Sequence, residues 1–144
     1  HEKGTFTRKE NALLLASATD LLDQGVNLID SRSAERYAGE AEPIDPVAGH
    51  IPGAVNRPWM QNLDEEGKFL SPKLLLERFT DLDQADQTIF YCGSGVTACH
   101  NILATQIAGL PMPQLYAPSW SGWISDETRE VERSEGVSAD SLTK

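Results

Sequence analysis

Cysteine is scarce in this chain: Cys92 and Cys99 are the only two in 144 residues. They cannot make a disulfide framework, so a reducing compartment is expected, and with it a cytoplasmic location. Positive charge is also short. Against 22 Asp and Glu there are 12 Lys and Arg, a formal charge of -10. That is the wrong sign for a nucleic-acid partner or an anionic membrane surface. Any anionic ligand must then be held by local dipoles and a few placed arginines, against the mean field. No apolar run approaches a membrane span, and there is no secretory h-region, internal repeat, low-complexity tract or linker. The chain opens on His1 rather than Met, so a fragment or processed product is expected. What is present, 40% hydrophobic and 24% charged residues, suits one globular domain long enough to bury a core.

Short apolar runs alternate with helical patterns. Strands are expected at Asn11–Ala16, Val26–Asp30, Ala54–Asn56, Thr88–Tyr91 and Gln114–Tyr116. Ser17 is placed to cap a helix with Asp20 in its first turn and Gly25 as its stop. Ser33–Tyr37 reads as one helical turn, and Ala38–Gly49, rich in Pro, Gly and acid, as a surface loop. Ser71-Pro72 starts a helix through Leu74, Leu75, Leu76 and Phe79. Val96–Ala108 has helical spacing, with Ile102, Leu103 and Ile107 on one face and Gly109 as the stop. The domain is read as 1–126, followed by a polar, frayed tail over 127–144. Alternating strands and helices give an α/β fold with a central, mostly parallel sheet, whose ligands sit at the carboxyl ends of strands. Asp30 and Cys92 fall there.

Cys92 stands between the apolar run Thr88-Ile89-Phe90-Tyr91 and the loop Gly93-Ser94-Gly95-Val96-Thr97. Gly93 and Gly95 permit backbone conformations closed to other residues, so successive N–H groups can turn inward, and a helix beginning near Val96 adds its positive end. A thiol there loses its proton more readily than a free one. Ser94 and Thr97 can donate hydroxyls to an oxyanion. The loop suits a cysteine nucleophile acting on an anion; the alternative is a small buried residue ending a strand. Cys92, Cys99 and His100 lack the paired clusters of a structural zinc site, so no metal or other cofactor is expected. The position where a cysteine phosphatase closes its loop with arginine holds Ala98.

Cys92-Gly93-Ser94-Gly95-Val96-Thr97 resembles the active-site loop of rhodanese-type sulfurtransferases, in the version found in 3-mercaptopyruvate sulfurtransferases. Leu28-Ile29-Asp30-Ser31-Arg32 is similar to the family's strand end, Gly49-His50-Ile51-Pro52-Gly53-Ala54-Val55-Asn56 to its GHIPGA signature, and Ser119-Trp120-Ser121-Gly122-Trp123 to its tryptophan motif. The resemblance implies one rhodanese-like domain with helices on both faces of the sheet. It implies the C-terminal, catalytic half of a tandem protein, with an N-terminal rhodanese-like half as partner. The implied reaction moves a sulfane sulfur from a small anionic donor, 3-mercaptopyruvate or thiosulfate, to a thiol, cyanide or protein thiol through a persulfide on Cys92. Gly93, Ser94, Gly95, Val96 and Thr97 would form the cradle, and Arg36 would hold the donor's carboxylate. Arg32, Trp120 and Trp123 are candidates to line the pocket, with structural roles as their alternatives. Asp30 and His50 are read as structural, and Cys99 as packed. One departure stands out: Glu42-Pro43-Ile44-Asp45-Pro46 lacks the second carboxylate-binding arginine of the mercaptopyruvate enzymes. A non-catalytic sulfur-carrier or interaction module is the alternative function.

Overall fold

In the computed structural model, which describes residues 14–23, 25–82 and 88–134, four of the expected strands form one sheet. These are β1 (Asn27–Asp30), β2 (Val55–Asn56), β3 (Thr88–Tyr91) and β4 (Gln114–Leu115), in the order β2-β1-β3-β4. Every neighbouring pair is parallel. The central strands are covered on both faces, which is why Thr88-Ile89-Phe90-Tyr91 is apolar without alternating and is buried throughout.

The period of two still sorts the side chains. Leu28, Ile89 and Tyr91 share one core with Ile51, Ala54, Tyr116, Trp120 and Trp123. Ile29 and Phe90 share the other with Leu75, Phe79, Leu82, Ala98 and Ala104. The second core lies under α2 (Pro72–Arg78) and α3 (Val96–Ile107). The first is covered by α4 (Ser119–Trp123), with Tyr37 of α1 (Ala34–Ala38) packed against it. Helices therefore flank a parallel sheet on both faces, the expected class. Start signals work locally: Ser71 Oγ accepts the Leu74 N–H at 3.4 Å, with Pro72 in the first turn of α2.

Several expectations need correction. Of the run Asn11–Ala16, Asn11–Leu13 lie outside the described residues. Leu15 makes only an isolated parallel bridge to Leu115. The helix expected after Ser17 is a single 3-10 turn, Asp20–Leu22, and the capping is inverted: the Asp20 carboxylate accepts from the Ser17 N–H at 2.6 Å and its hydroxyl at 2.7 Å.

The buried face of α3 is Ala98, Asn101, Ala104 and Thr105, while Leu103 is 51% exposed. Small residues let this helix sit close to its neighbours. Asn101 is tolerated because its amide is fully used: it donates to Ser31 Oγ at 2.9 Å and to the Arg57 carbonyl at 2.8 Å, and accepts from Asn62 at 2.7 Å. Counting apolar spacing misses such a face.

Residues 127–134 are not frayed. Glu132 and His50 exchange backbone hydrogen bonds of 2.8 and 2.9 Å, and Trp123 Nε1 donates to the Glu130 carbonyl at 2.9 Å. The rest of the expected tail, 135–144, lies outside the described residues. Among the described residues no helix is long and apolar enough to cross a membrane.

Candidate active site

Cys92 follows the last residue of β3, where the chain leaves the sheet at its carboxyl edge. Three contacts from the start of α4 hold it there. Its N–H donates to Ser119 Oγ at 3.1 Å, its carbonyl accepts from the Trp120 N–H at 2.9 Å, and the Gly93 carbonyl accepts from the Ser121 N–H at 3.0 Å. Ser119 has φ 54°, the one non-glycine positive φ among the described residues. Such a conformation costs on the order of 1–3 kcal/mol and persists where the surroundings over-determine it. Here Ser119 Oγ is fixed from both sides, since it also donates to the Tyr116 carbonyl at 3.0 Å.

Gly95 turns the loop. Its φ is 86°, and a Cβ there would lie 2.7 Å from the Ala117 carbonyl oxygen, so only glycine fits. The turn aims the Gly95 N–H at Cys92 Sγ, 3.2 Å away. Gly93 differs from expectation: it is not among the positive-φ glycines. A Cβ there would meet only the tip of the Arg36 side chain, 3.4 Å from Nη1, so neither the backbone nor the space demands glycine at this position.

Burial pushes the Cys92 thiol up, but donation from the Thr97 hydroxyl and from the N–H groups of Ala98, Ser94 and Gly95 outweighs it and leaves the thiol below its ordinary value. The residue is only 2% exposed. Its access is a cavity of about 200 Å³ lined by Arg36, Ile44, Asp45, Cys92, Gly93, Ser94, Val96, Thr97 and Ser121. Gly95 serves from behind, through its amide.

Not every expected residue reaches this cavity. Arg32 is 2% exposed and turned inward: Nη2 donates to Asp30 at 2.6 Å and to the Gly49 carbonyl at 2.6 Å, Nη1 donates to Glu42 at 3.2 Å, and the guanidinium lies 4.7 Å from the Trp120 ring centroid. Trp120 and Trp123 are core residues, and Trp120 Nε1 donates to the Val47 carbonyl at 2.9 Å. None of these three pocket candidates lines the cavity: Arg32 is spent on Asp30, Gly49 and Glu42, and both tryptophans are buried in the core. Asp30 also caps the Arg32 N–H at 2.9 Å, and His50 Nδ1 lies 2.7 Å from the Tyr37 carbonyl, its ring stacked on Tyr37. Cys99, expected to be packed, is exposed, with its thiol 3.4 Å from the Gly95 carbonyl.

Arg36 does face the cavity, but it arrives paired. Its Nε lies 3.1 Å from both Glu42 oxygens, and its Nη2 lies 2.7 Å from Glu42 and 3.2 Å from Asp45. Sequence reasoning missed Ile44, Asp45 and Ser121. Asp45 hides in a loop read only for the arginine it lacks. Ser121 sits within the tryptophan motif, whose serines rather than its aromatic rings border the thiol. Among the described residues no group of three or more His, Cys, Asp or Glu is placed to hold a metal ion.

A thiol held by loop donors at the carboxyl edge of a parallel α/β sheet defines a cysteine-centred loop domain. The family model "Rhodanese-like domain" matches residues 14–126, and the chain belongs to that family. It is 49% identical over 135 residues to a probable 3-mercaptopyruvate sulfurtransferase of Pseudomonas aeruginosa, covering 89% of this chain and 48% of the relative. It is 36% identical over 146 residues to the thiosulfate sulfurtransferase of Rattus norvegicus, covering 95% and 49%. The solved 3-mercaptopyruvate sulfurtransferase from Leishmania major superposes with a TM-score of 0.58 at 38% identity, over 72% of this chain and 30% of that one. The chain spans about half the length of the curated relatives it matches.

Proposed function

We propose that this domain is a sulfurtransferase that carries a sulfane sulfur on Cys92. The observation that carries the reading is the Gly95 N–H 3.2 Å from Sγ, joined by the Thr97 hydroxyl and two further amides, with the thiol opening on a cavity. Those donors stabilise a sulfur anion, and they would do so for thiolate and persulfide alike. With thiosulfate, the Cys92 thiolate attacks the outer sulfur, an S–S bond forms as the donor's S–S bond breaks, and sulfite leaves with the electron pair. With 3-mercaptopyruvate, the C–S bond breaks, the carbon keeps the pair and takes the thiol's proton, and pyruvate leaves. An acceptor thiol or cyanide then removes the outer sulfur and regenerates the thiolate, a ping-pong cycle. The relatives' names support this donor pair. A reducing compartment such as the cytoplasm suits the free thiols involved. A companion rhodanese-like half belongs to the same proposal.

A non-catalytic sulfur carrier is the second reading, favoured by Arg36 already lying against two carboxylates. One experiment separates them. The protein is incubated with each donor, alone and with the companion half, and Cys92 is examined by mass spectrometry for one added sulfur atom; an acceptor is then supplied. Loading followed by repeated turnover is expected, with both lost in Cys92→Ser while the fold is retained. Loading without turnover selects the carrier, and no loading by either donor sinks both.

A further inference from the structure

Resting on the sulfur-transfer reading of Cys92, we propose that Asp45 is a specificity-determining residue: a tethered carboxylate that occupies Arg36 and sorts incoming donors by their charge. Asp45 is not a loose surface acid. Its side chain is 9% exposed, Oδ2 lies 3.2 Å from Arg36 Nη2, and Oδ1 lies 2.8 Å from the Ser121 hydroxyl, whose one proton it shares with the Gly93 carbonyl at 2.9 Å. It shares the cavity with Cys92.

The charges behind it form a row from core to cavity. Asp30 pairs with Arg32 at 2.6 Å, Arg32 also meets Glu42 at 3.2 Å, Glu42 pairs with Arg36 at 2.7 Å, and Arg36 meets Asp45 at 3.2 Å. Counted from the buried end, Asp30 neutralises Arg32 and Glu42 neutralises Arg36. Asp45 is the acid left over, and it stands on the cavity wall.

Arg36 and Asp45 are the only Asp, Glu, Lys or Arg among the residues lining this cavity. An anion entering it therefore meets no uncompensated cation. It can use Arg36 Nη1, which has no hydrogen-bond partner among the described residues and lies beside Gly93, or it can displace Asp45 from Nη2. Either way it approaches a fixed negative charge, and the penalty grows with the charge the donor carries. A dianion such as thiosulfate is disfavoured relative to a monoanion such as 3-mercaptopyruvate, and neutral thiol acceptors are unaffected.

The test uses Asp45→Asn, which keeps the shape and an acceptor for the Ser121 hydroxyl, with Asp45→Ser as a second variant should the first fold poorly. Both are made in a Cys99→Ser background, so that alkylation reports Cys92 alone. Iodoacetamide and iodoacetate attack the same thiolate and differ in charge, so their rate ratio reads the field of the cavity without any sulfur transfer. Removing the carboxylate is expected to raise the iodoacetate-to-iodoacetamide ratio about tenfold, an effect that shrinks with added salt. In turnover, KM for thiosulfate falls more than KM for 3-mercaptopyruvate, with kcat little changed. An unchanged ratio, or equal changes for both reagents, overturns the proposal even if Cys92 still loads sulfur. A raised ratio in a protein that never loads sulfur supports the charge filter and sinks the sulfur-transfer reading.

Discussion

At the scale of single residues, the chemistry reduces to what surrounds one sulfur atom. Burial alone would keep the Cys92 thiol protonated, and four donors reverse that. A hydrogen bond to a charged group contributes on the order of 1.5–3 kcal/mol. Thr97→Val deletes one donor without changing shape. The thiolate loses more than the thiol does, so the proton is held to higher pH. Alkylation by iodoacetamide at pH 7 should then fall about tenfold, while the rate on the alkaline plateau is retained. A pH–rate profile superimposable on the parent's would show that the hydroxyl contributes nothing to ionisation.

At the scale of elements, the loop between β3 and α3 works because its neighbour is the start of α4. Gly95 is caught between the two: its amide faces the sulfur, and the place of a side chain is filled by the Ala117 carbonyl. Gly95→Ala should therefore cost about 2 kcal/mol in urea unfolding, and should slow Cys92 alkylation as the amide is pushed off line. A variant as stable and as reactive as the parent would mean that this contact is slack. The serines at the start of α4 act on the same loop from outside, which explains how a motif known by its tryptophans comes to border the site.

At the scale of the whole molecule, the folded unit extends past the family match, which ends at residue 126. The segment to residue 134 closes over the turn at Gly49-His50: a Cβ on Gly49 would collide with the Glu132 carbonyl oxygen. A chain ending at Asp126 loses the paired backbone bonds of His50 and strands the buried Trp123 N–H. The expected cost is about 3 kcal/mol, or roughly 8 °C in Tm. Equal melting of the chains ending at 126 and at 134 would contradict it. The same turn passes the Gly49 carbonyl to Arg32, which anchors the row of charges leading to the cavity.

The strands and the loop were legible from one dimension, because what makes them is local. A run apolar on both faces must be a central strand, and a glycine-flanked cysteine between strand and helix must lie near main-chain donors. The same locality failed for Leu103, since a helix can bury a satisfied Asn101 instead, and for Ser17, where the acid caps the hydroxyl. Arg32 and Arg36 look alike in sequence. Only the folded chain turns one into the core and the other toward the thiol, because which carboxylates they meet depends on how the 39–49 loop is laid across the sheet. Composition and local pattern by themselves determined a parallel α/β domain with a cysteine at the carboxyl end of a central strand. Tertiary structure alone decided which charges share the cavity, because Coulomb energy depends on distances between side chains that chain order does not encode.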